Sequence, residues 1–286
     1  MMALHEPVPP LEEAVPRGAN LFRIAEQALL DRDPEHKITI SQEAVMAWMQ
    51  RRLVRDEAPP PETVQAPGRP ERPLLVAPGE VPRRSLQTET GRAAFIHALT
   101  HIEFNAINLA WDAVYRYRDL PDEFYEDWVR VAAEEAYHFT LLRDHLREMG
   151  YDYGHFTAHD GLWQLAVETA DDPLARMALV ARVAEARGLD VIPEMIRRLT
   201  QVGEDKVVDL MTLIHRDEIG HVSFGSKWFR YLCDQRGLEP RPTFRALVAE
   251  RGRQQIKLPL NEDSRRRAGF TDEELDDLKA LAADSG

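Results

Sequence analysis

One arrangement of residues occurs twice in this chain at nearly the same spacing. Glu103 is followed 32 residues later by Glu135-x-x-His138, and Glu185 is followed 33 residues later by Glu218-x-x-His221. Both copies lie in strongly helical sequence. A lone Glu-x-x-His carries little information, because roughly one match is expected by chance in a chain this rich in glutamate. The placement carries more. Counted along helices, Glu103 and Glu135 stand about 25 and 22 Å from the turn between them, and Glu185 and Glu218 about 25 and 21 Å from theirs. All four positions therefore fit one level of one helical bundle.

A glutamate and a histidine three apart share a helix face. The rows that run through these positions are otherwise apolar or small: Leu99, Ala106 and Ala110; Val131 and Leu142; Ala178, Ala181 and Ile192; Met211, Ile214 and Val222. Glutamates in such rows are buried carboxylates, which repel one another and are driven toward protonation unless something compensates them. Two divalent cations balance four glutamates, and two neutral imidazoles complete the donor set. The expectation is a dinuclear centre ligated by Glu103, Glu135, His138, Glu185, Glu218 and His221. These donors suit iron, manganese or a mixed pair.

The acids beside each motif extend the idea. A metal-bound imidazole gives its other N–H to a carboxylate or carbonyl, so Asp217 is expected to orient His138 and Glu134 to orient His221. His215, one turn before Glu218, is a further candidate beside the site, ahead of His97 and His145. His101 falls on nearly the opposite face from Glu103 and reads as a surface or outer residue. Tyr137 points away from the ligands. Trp111, Trp128 and Trp228 read as core or interface anchors. The competing bland reading is a bundle with surface salt bridges and incidental histidines.

The rest of the chain frames this core. Residues 1–56 read as a helical extension, with Ser41 capping a helix that carries Val45, Trp48 and Leu53. Residues 57–85 form a linker or wrapping arm; eight of the 19 prolines fall between Pro59 and Pro82, which excludes a regular helix. Residues 86–237 are the bundle. Its first helix runs from about Thr88 to Arg118, its second from the break at 119–122 to Met149, before Gly150. A long connection with a short helix over 162–169 leads to a third helix starting at Asp172-Pro173, and Gly203 separates that from the fourth. Gly188 and Pro193 should weaken the third helix just after Glu185. Short turns make each pair antiparallel, and the single long crossover joins the pairs. Residues 238–286 form a tail with helices near Thr243–Arg251 and from Thr271, where Thr271-Asp-Glu-Glu274 is a capping-box pattern. The segment 257–261 between them reads as irregular.

Composition narrows the function classes. The chain of 286 residues is 44% hydrophobic and 30% charged, which suits a globular protein. No apolar run reaches the roughly 18 residues of a membrane helix. Met1 to Pro16 lack the pattern of a secretory signal, and the single cysteine, Cys233, fits a reducing cytoplasm. It also excludes a rubredoxin-type iron centre within the chain. A net charge of −13 argues against a broad nucleic-acid surface, although Arg251, Arg253 and Arg265 to Arg267 form a candidate basic patch. The stretch Gly220 to Lys227 has the wrong Ser and Lys order for a phosphate loop and sits inside a helix.

The order Glu103, Glu135-x-x-His138, Glu185, Asp217-Glu218-x-x-His221 resembles the ferritin-like non-haem di-iron carboxylate superfamily. More narrowly, residues 87–236 resemble a bacterial ferritin-like family of unknown function, through Thr100-His-Ile-Glu103, Glu185-Ala-Arg-Gly-Leu-Asp190 and His215-Arg-Asp-Glu-Ile-Gly-His-Val222. They are distantly similar to the tRNA hydroxylase that acts on a modified adenosine. The resemblance implies an all-α, ferritin-like four-helix bundle with one long crossover and added extensions. It implies two iron ions that activate O₂ against an organic substrate, small or carried on tRNA, with electrons from a ferredoxin or reductase. A homodimer is the expected assembly. The arm and tail have no counterpart in storage ferritins. Alternative readings are a dimanganese peroxide-handling enzyme, a ferroxidase or iron-handling protein, and a non-catalytic helical interaction module.

Overall fold

The computed structural model describes residues 15–56, 58–82 and 85–283, and these form an all-helical bundle. Residues 1–14, which carry most of the Met1 to Pro16 stretch read against a secretory signal, lie outside the described residues, as do 57, 83, 84 and 284–286. No described helix is long and apolar enough to cross a membrane. The bundle elements are α3 (Glu89–Arg116), α4 (Asp122–Glu148), α7 (Ala186–Gln201) and α8 (Asp205–Gln235). Smaller helices are α1 (Leu21–Leu30), α2 (Pro34–Met49), α5 (Gly161–Glu168), α6 (Pro173–Arg176), α9 (Pro240–Leu247), α10 (Glu262–Arg267) and α11 (Asp272–Ala283).

Local chemistry sets the boundaries. Thr88 caps α3 by accepting from the Gly91 amide, and Asp172 caps α6 by accepting from the Leu174 amide ahead of Pro173. The second helix ends where Gly150 takes φ +81°, a conformation that other residues rarely adopt. Gly203, at φ +75°, makes the turn between α7 and α8. The short connections leave α3 antiparallel to α4 and α7 antiparallel to α8, with α4 packed on α8. The crossover between α4 and α6 carries α5.

Three expectations change. Ser41 does not cap a helix: α2 starts eight residues earlier, where Asp33 accepts from the Glu35 amide and Pro34 takes the first turn. Ser41 lies inside α2, giving its hydroxyl to Lys37 O and accepting from the Trp111 indole. The irregularity of the third bundle helix precedes Glu185 instead of following it. Residues Met177–Ala184 form a π-helical segment, and Pro193 is accommodated within α7. The tail holds an additional short helix, α10, and its first helix gives way to a π turn over Val248–Gly252.

The extensions are part of the core. Lys37 is fully buried and donates to Ala28 O (2.7 Å) and Leu29 O (3.3 Å) at the end of α1, and to Asn108 Oδ1 on α3 (2.5 Å). The Pro-rich arm wraps instead of dangling. Gly68 N donates to Leu29 O, Trp163 Nε1 to Gln65 O, and Val76 N to Ala158 O. One apolar cluster joins α1, α2, the lower bundle and the tail; a second fills the other end around Leu99, Leu142 and Met211. On α3 the change of cluster falls between Leu99 and Phe104, and on α8 between Ile214 and Ile219. Glu103 and Glu218 sit at those seams.

Candidate metal centre

Four donors meet inside the bundle. Ligand atoms of Glu103, Glu135, His138 and Glu218 all lie within 4.8 Å of one another. His138 Nδ1 stands 3.5 Å from Glu103 Oε2 and 3.4 Å from Glu135 Oε2. His221 joins them from α8, its Nδ1 2.9 Å from Glu135 Oε1 and 3.8 Å from Glu218 Oε1. Glu135 thus lies between the two imidazoles with one oxygen toward each. The rings themselves are 6.0 Å apart between centroids. Glu185 is the outlier. It lies outside the four-donor group, though its Oε2 is buried and it feels the charges of Glu218 and Glu135.

The outer faces of both imidazoles are held by acids from the neighbouring helix. His138 Nε2 is 3.1 Å from Asp217 Oδ2, and His221 Nε2 is 2.8 Å from Glu134 Oε2. Each acid is in turn held by an arginine: Asp217 accepts from Arg216 Nε (2.9 Å) and Glu134 from Arg130 Nε (2.8 Å). This crossed pairing fixes both rings with Nδ1 facing inward. The two arginines were not singled out in the sequence, although the Arg130–Glu134 spacing of four residues is a recognisable helix pair.

The inward atoms lack ordinary partners. Glu103 Oε2, Glu135 Oε2, Glu185 Oε2, His138 Nδ1 and His221 Nδ1 are all buried without a hydrogen-bond partner. Buried polar atoms are almost always satisfied, so the four orphans that meet on Glu103, Glu135, His138 and His221, with that of Glu185 outside the group, call for a compensating group. Proton affinities show the strain. Burial and then the Glu135 charge push Glu103 well above the carboxylate range. Burial, with Glu218 and Glu135, pushes Glu185 up to about 8. Burial opposes charge on the imidazoles, but Asp217, Glu103 and Glu135 outweigh it at His138, and Glu135 and Glu134 outweigh it at His221, so both rise well above the usual range. Burial also opposes charge on Glu135, yet His221 and His138 hold it low. Divalent cations fit this donor set: carboxylate and imidazole atoms, mutually close, mostly dry and oriented from outside.

The other candidates sit elsewhere. His215 turns toward Ser264 Oγ at 3.4 Å, on α10. His101 is buried, not at the surface, and binds Tyr153 Oη (2.8 Å) across the crossover. His97 Nε2 accepts from the Gly154 amide, and His145 faces Glu148. Tyr137 is exposed. Within the expected basic patch, Arg265 is buried in a two-bond pair with Asp190, and Arg266 binds Glu262, Asp263 and Asp272. Gly220 to Lys227 lie within α8, where a side chain at Gly225 would meet Ala181 Cβ at 2.6 Å.

A family model described as "Protein of unknown function (DUF455)" matches residues 30–276. The chain is also 48% identical over 214 residues to an "Uncharacterized protein" of Haemophilus influenzae, covering 72% of this chain and 74% of that protein. No solved structure matches.

Proposed function

The chain belongs to this DUF455 family, and we propose that it is a ferritin-like, dinuclear non-haem metal oxidoreductase, with two iron ions, that uses O₂ on an organic substrate in the cytoplasm. The observation that carries this reading is the set of five orphaned buried donor atoms backed by two crossed carboxylate–imidazole pairs. Glu103, Glu135, His138, Glu218 and His221, with Glu185 beside them, would hold the ions. Bound iron would supply the redox chemistry toward O₂.

The chain's own residues do the rest. Asp217 and Glu134 each accept from the Nε2 side of an imidazole and so keep its Nδ1 turned toward the other donors. The apolar clusters above and below the site keep water from the donors, which strengthens every charge interaction there. In this reading the reducing electrons come from a ferredoxin or reductase. Manganese is the second reading, because carboxylate and imidazole donors also accept it.

Metal analysis of protein from its native host, combined with O₂ uptake in the presence of a reductant, tests the proposal. Two ions per chain are expected, dropping to one or none in Glu135→Ala, with O₂ uptake lost alongside. Full turnover in a Glu135→Ala protein that has lost its metal would sink the reading.

A further inference from the structure

The least securely placed donor, Glu185, follows directly on the π-helical segment Met177–Ala184, and its amide closes an i to i−5 bond to Val180 O at 3.0 Å. A π segment is a poorer helix than an α-helix and persists where its surroundings hold it. Here the surroundings are unusually specific. Arg182, in the middle of the segment, is fully buried and donates to Ser226 Oγ on α8 (3.1 Å) and Glu274 Oε2 on α11 (2.7 Å). Its guanidinium lies 5.0, 4.1 and 4.5 Å from the ring centres of Phe229, Phe244 and Phe270. Two glycines allow the approach: a Cβ at Gly225 would meet Ala181, and one at Gly252 would meet Leu179 Cδ2 at 2.7 Å.

Glu274 has two tasks. Its carboxylate accepts from the Thr271 amide (3.0 Å) while Thr271 Oγ1 accepts from the Glu274 amide (3.2 Å), closing the capping box of α11. The same oxygen binds Arg182. The start of the last helix is therefore fastened to the segment that precedes Glu185. Each residue of α-helix turns the chain by about 100°. Relaxation of the π segment to α-helix would rotate Glu185 by up to about that angle relative to the residues that precede the segment and carry its carboxylate away from Glu135 and Glu218.

We propose that Arg182 and Glu274 are positioning residues for the metal centre: the C-terminal tail, docked through this ion pair, holds the π register that aims Glu185 inward. The inference rests on the reading of Glu185 as a ligand. It makes tail docking and occupancy of the Glu185 side of the site reciprocal, since any coupling between two equilibria acts in both directions.

The test is titration of metal-free, full-length protein with Mn²⁺, followed by mass-spectrometric stoichiometry and by the magnetic coupling between the two ions in electron paramagnetic resonance. In Glu274→Gln the second equivalent should bind on the order of 10–100-fold more weakly, and the coupled signal should give way to that of isolated ions. The double variant Arg182→Met, Glu274→Met replaces both charges by apolar groups, a change that buried pairs commonly tolerate, and should show the same loss in a folded protein. Thr271→Ala removes one capping bond but leaves the ion pair; it should lower the melting temperature and keep both ions. Wild-type affinity and coupling in both pair variants would overturn the inference. So would an equal loss in Thr271→Ala, because tail stability alone would then explain it. Glu185→Gln separates the levels. If it binds two coupled ions normally, the ligand reading fails and takes the inference with it; if it loses the second ion while the pair variants do not, only the inference fails.

Discussion

Glu135 faces two imidazoles at once, 3.4 Å from His138 Nδ1 and 2.9 Å from His221 Nδ1. A carboxylate so placed can serve both sides only if neither ring turns, and the rings are kept from turning by Asp217 and Glu134. Asp217→Ala removes the acid behind His138. It should weaken metal binding on that side by about 10–100-fold, while Arg216, mostly exposed, swings free without cost to the fold. Calorimetric titration with Mn²⁺ reads the change, and unchanged affinity would show that His138 is oriented without Asp217. At this scale the sequence was informative. Spacing and apolar rows pointed to six residues, five of which the fold brings together while Glu185 lies outside the group, and the acid preceding each Glu-x-x-His pointed to the imidazole it meets across the bundle. His215 was less legible. Being one turn from Glu218 fixes its height, but helical spacing alone does not say that α10 would lie beside it and take its ring toward Ser264.

Among the elements, the third bundle helix shows why local signals mislead. Gly188 and Pro193 are the residues that weaken a helix, yet α7 runs through both of them. The distortion falls on Met177–Ala184, a run of residues with good helical character. Its cause is tertiary: Gly225 lets α8 approach Ala181, Gly252 lets the tail approach Leu179, and the buried Arg182 needs room among three rings. None of these neighbours is close in sequence. Gly225→Ala tests the packing directly. Its Cβ would lie 2.6 Å from that of Ala181, so the helices must part or the segment must shift. Overpacking of this kind costs about 1–3 kcal/mol, and urea unfolding should show it as a lower midpoint with an unchanged slope. A midpoint equal to the wild type would mean the contact is loose. The start of α2 was readable in principle, since Asp33-Pro34 is a stronger signal than Ser41. Ser41 looked like a cap because hydroxyls favour that position, whereas here its hydroxyl is engaged with Lys37 O and the Trp111 indole.

Across the whole molecule, bundle, arm and tail share apolar cores, so the charge state of the centre is felt by the stability of the entire chain. In the metal-free protein Glu185 titrates at about 8 instead of 4.5, and Glu103, Glu218, His138 and His221 shift upward as well. These groups therefore hold more protons in the folded state than in the unfolded chain between about pH 4.5 and 8. Stability from these groups is complete below the unfolded values and is lost as pH rises through the folded ones. Glu135, Glu134 and Asp217 shift downward, so their contribution is lost only on the acid side. His97 and His101, pushed down to about 4 by burial, and His215, also pushed down by burial, oppose this below about pH 6.5, so the metal-free protein should melt at progressively lower temperature from about pH 6.5 to pH 8. Metal reverses the trend, because cations take the place of the protons and bind more tightly as pH rises. At about 100-fold excess over the dissociation constant, each site adds about 2.7 kcal/mol, and the gap between loaded and metal-free melting curves should widen toward alkaline pH. Scanning calorimetry across that range, with and without Mn²⁺, decides it: a metal-free protein that melts higher as pH rises would mean that these donors do not hold protons in the fold.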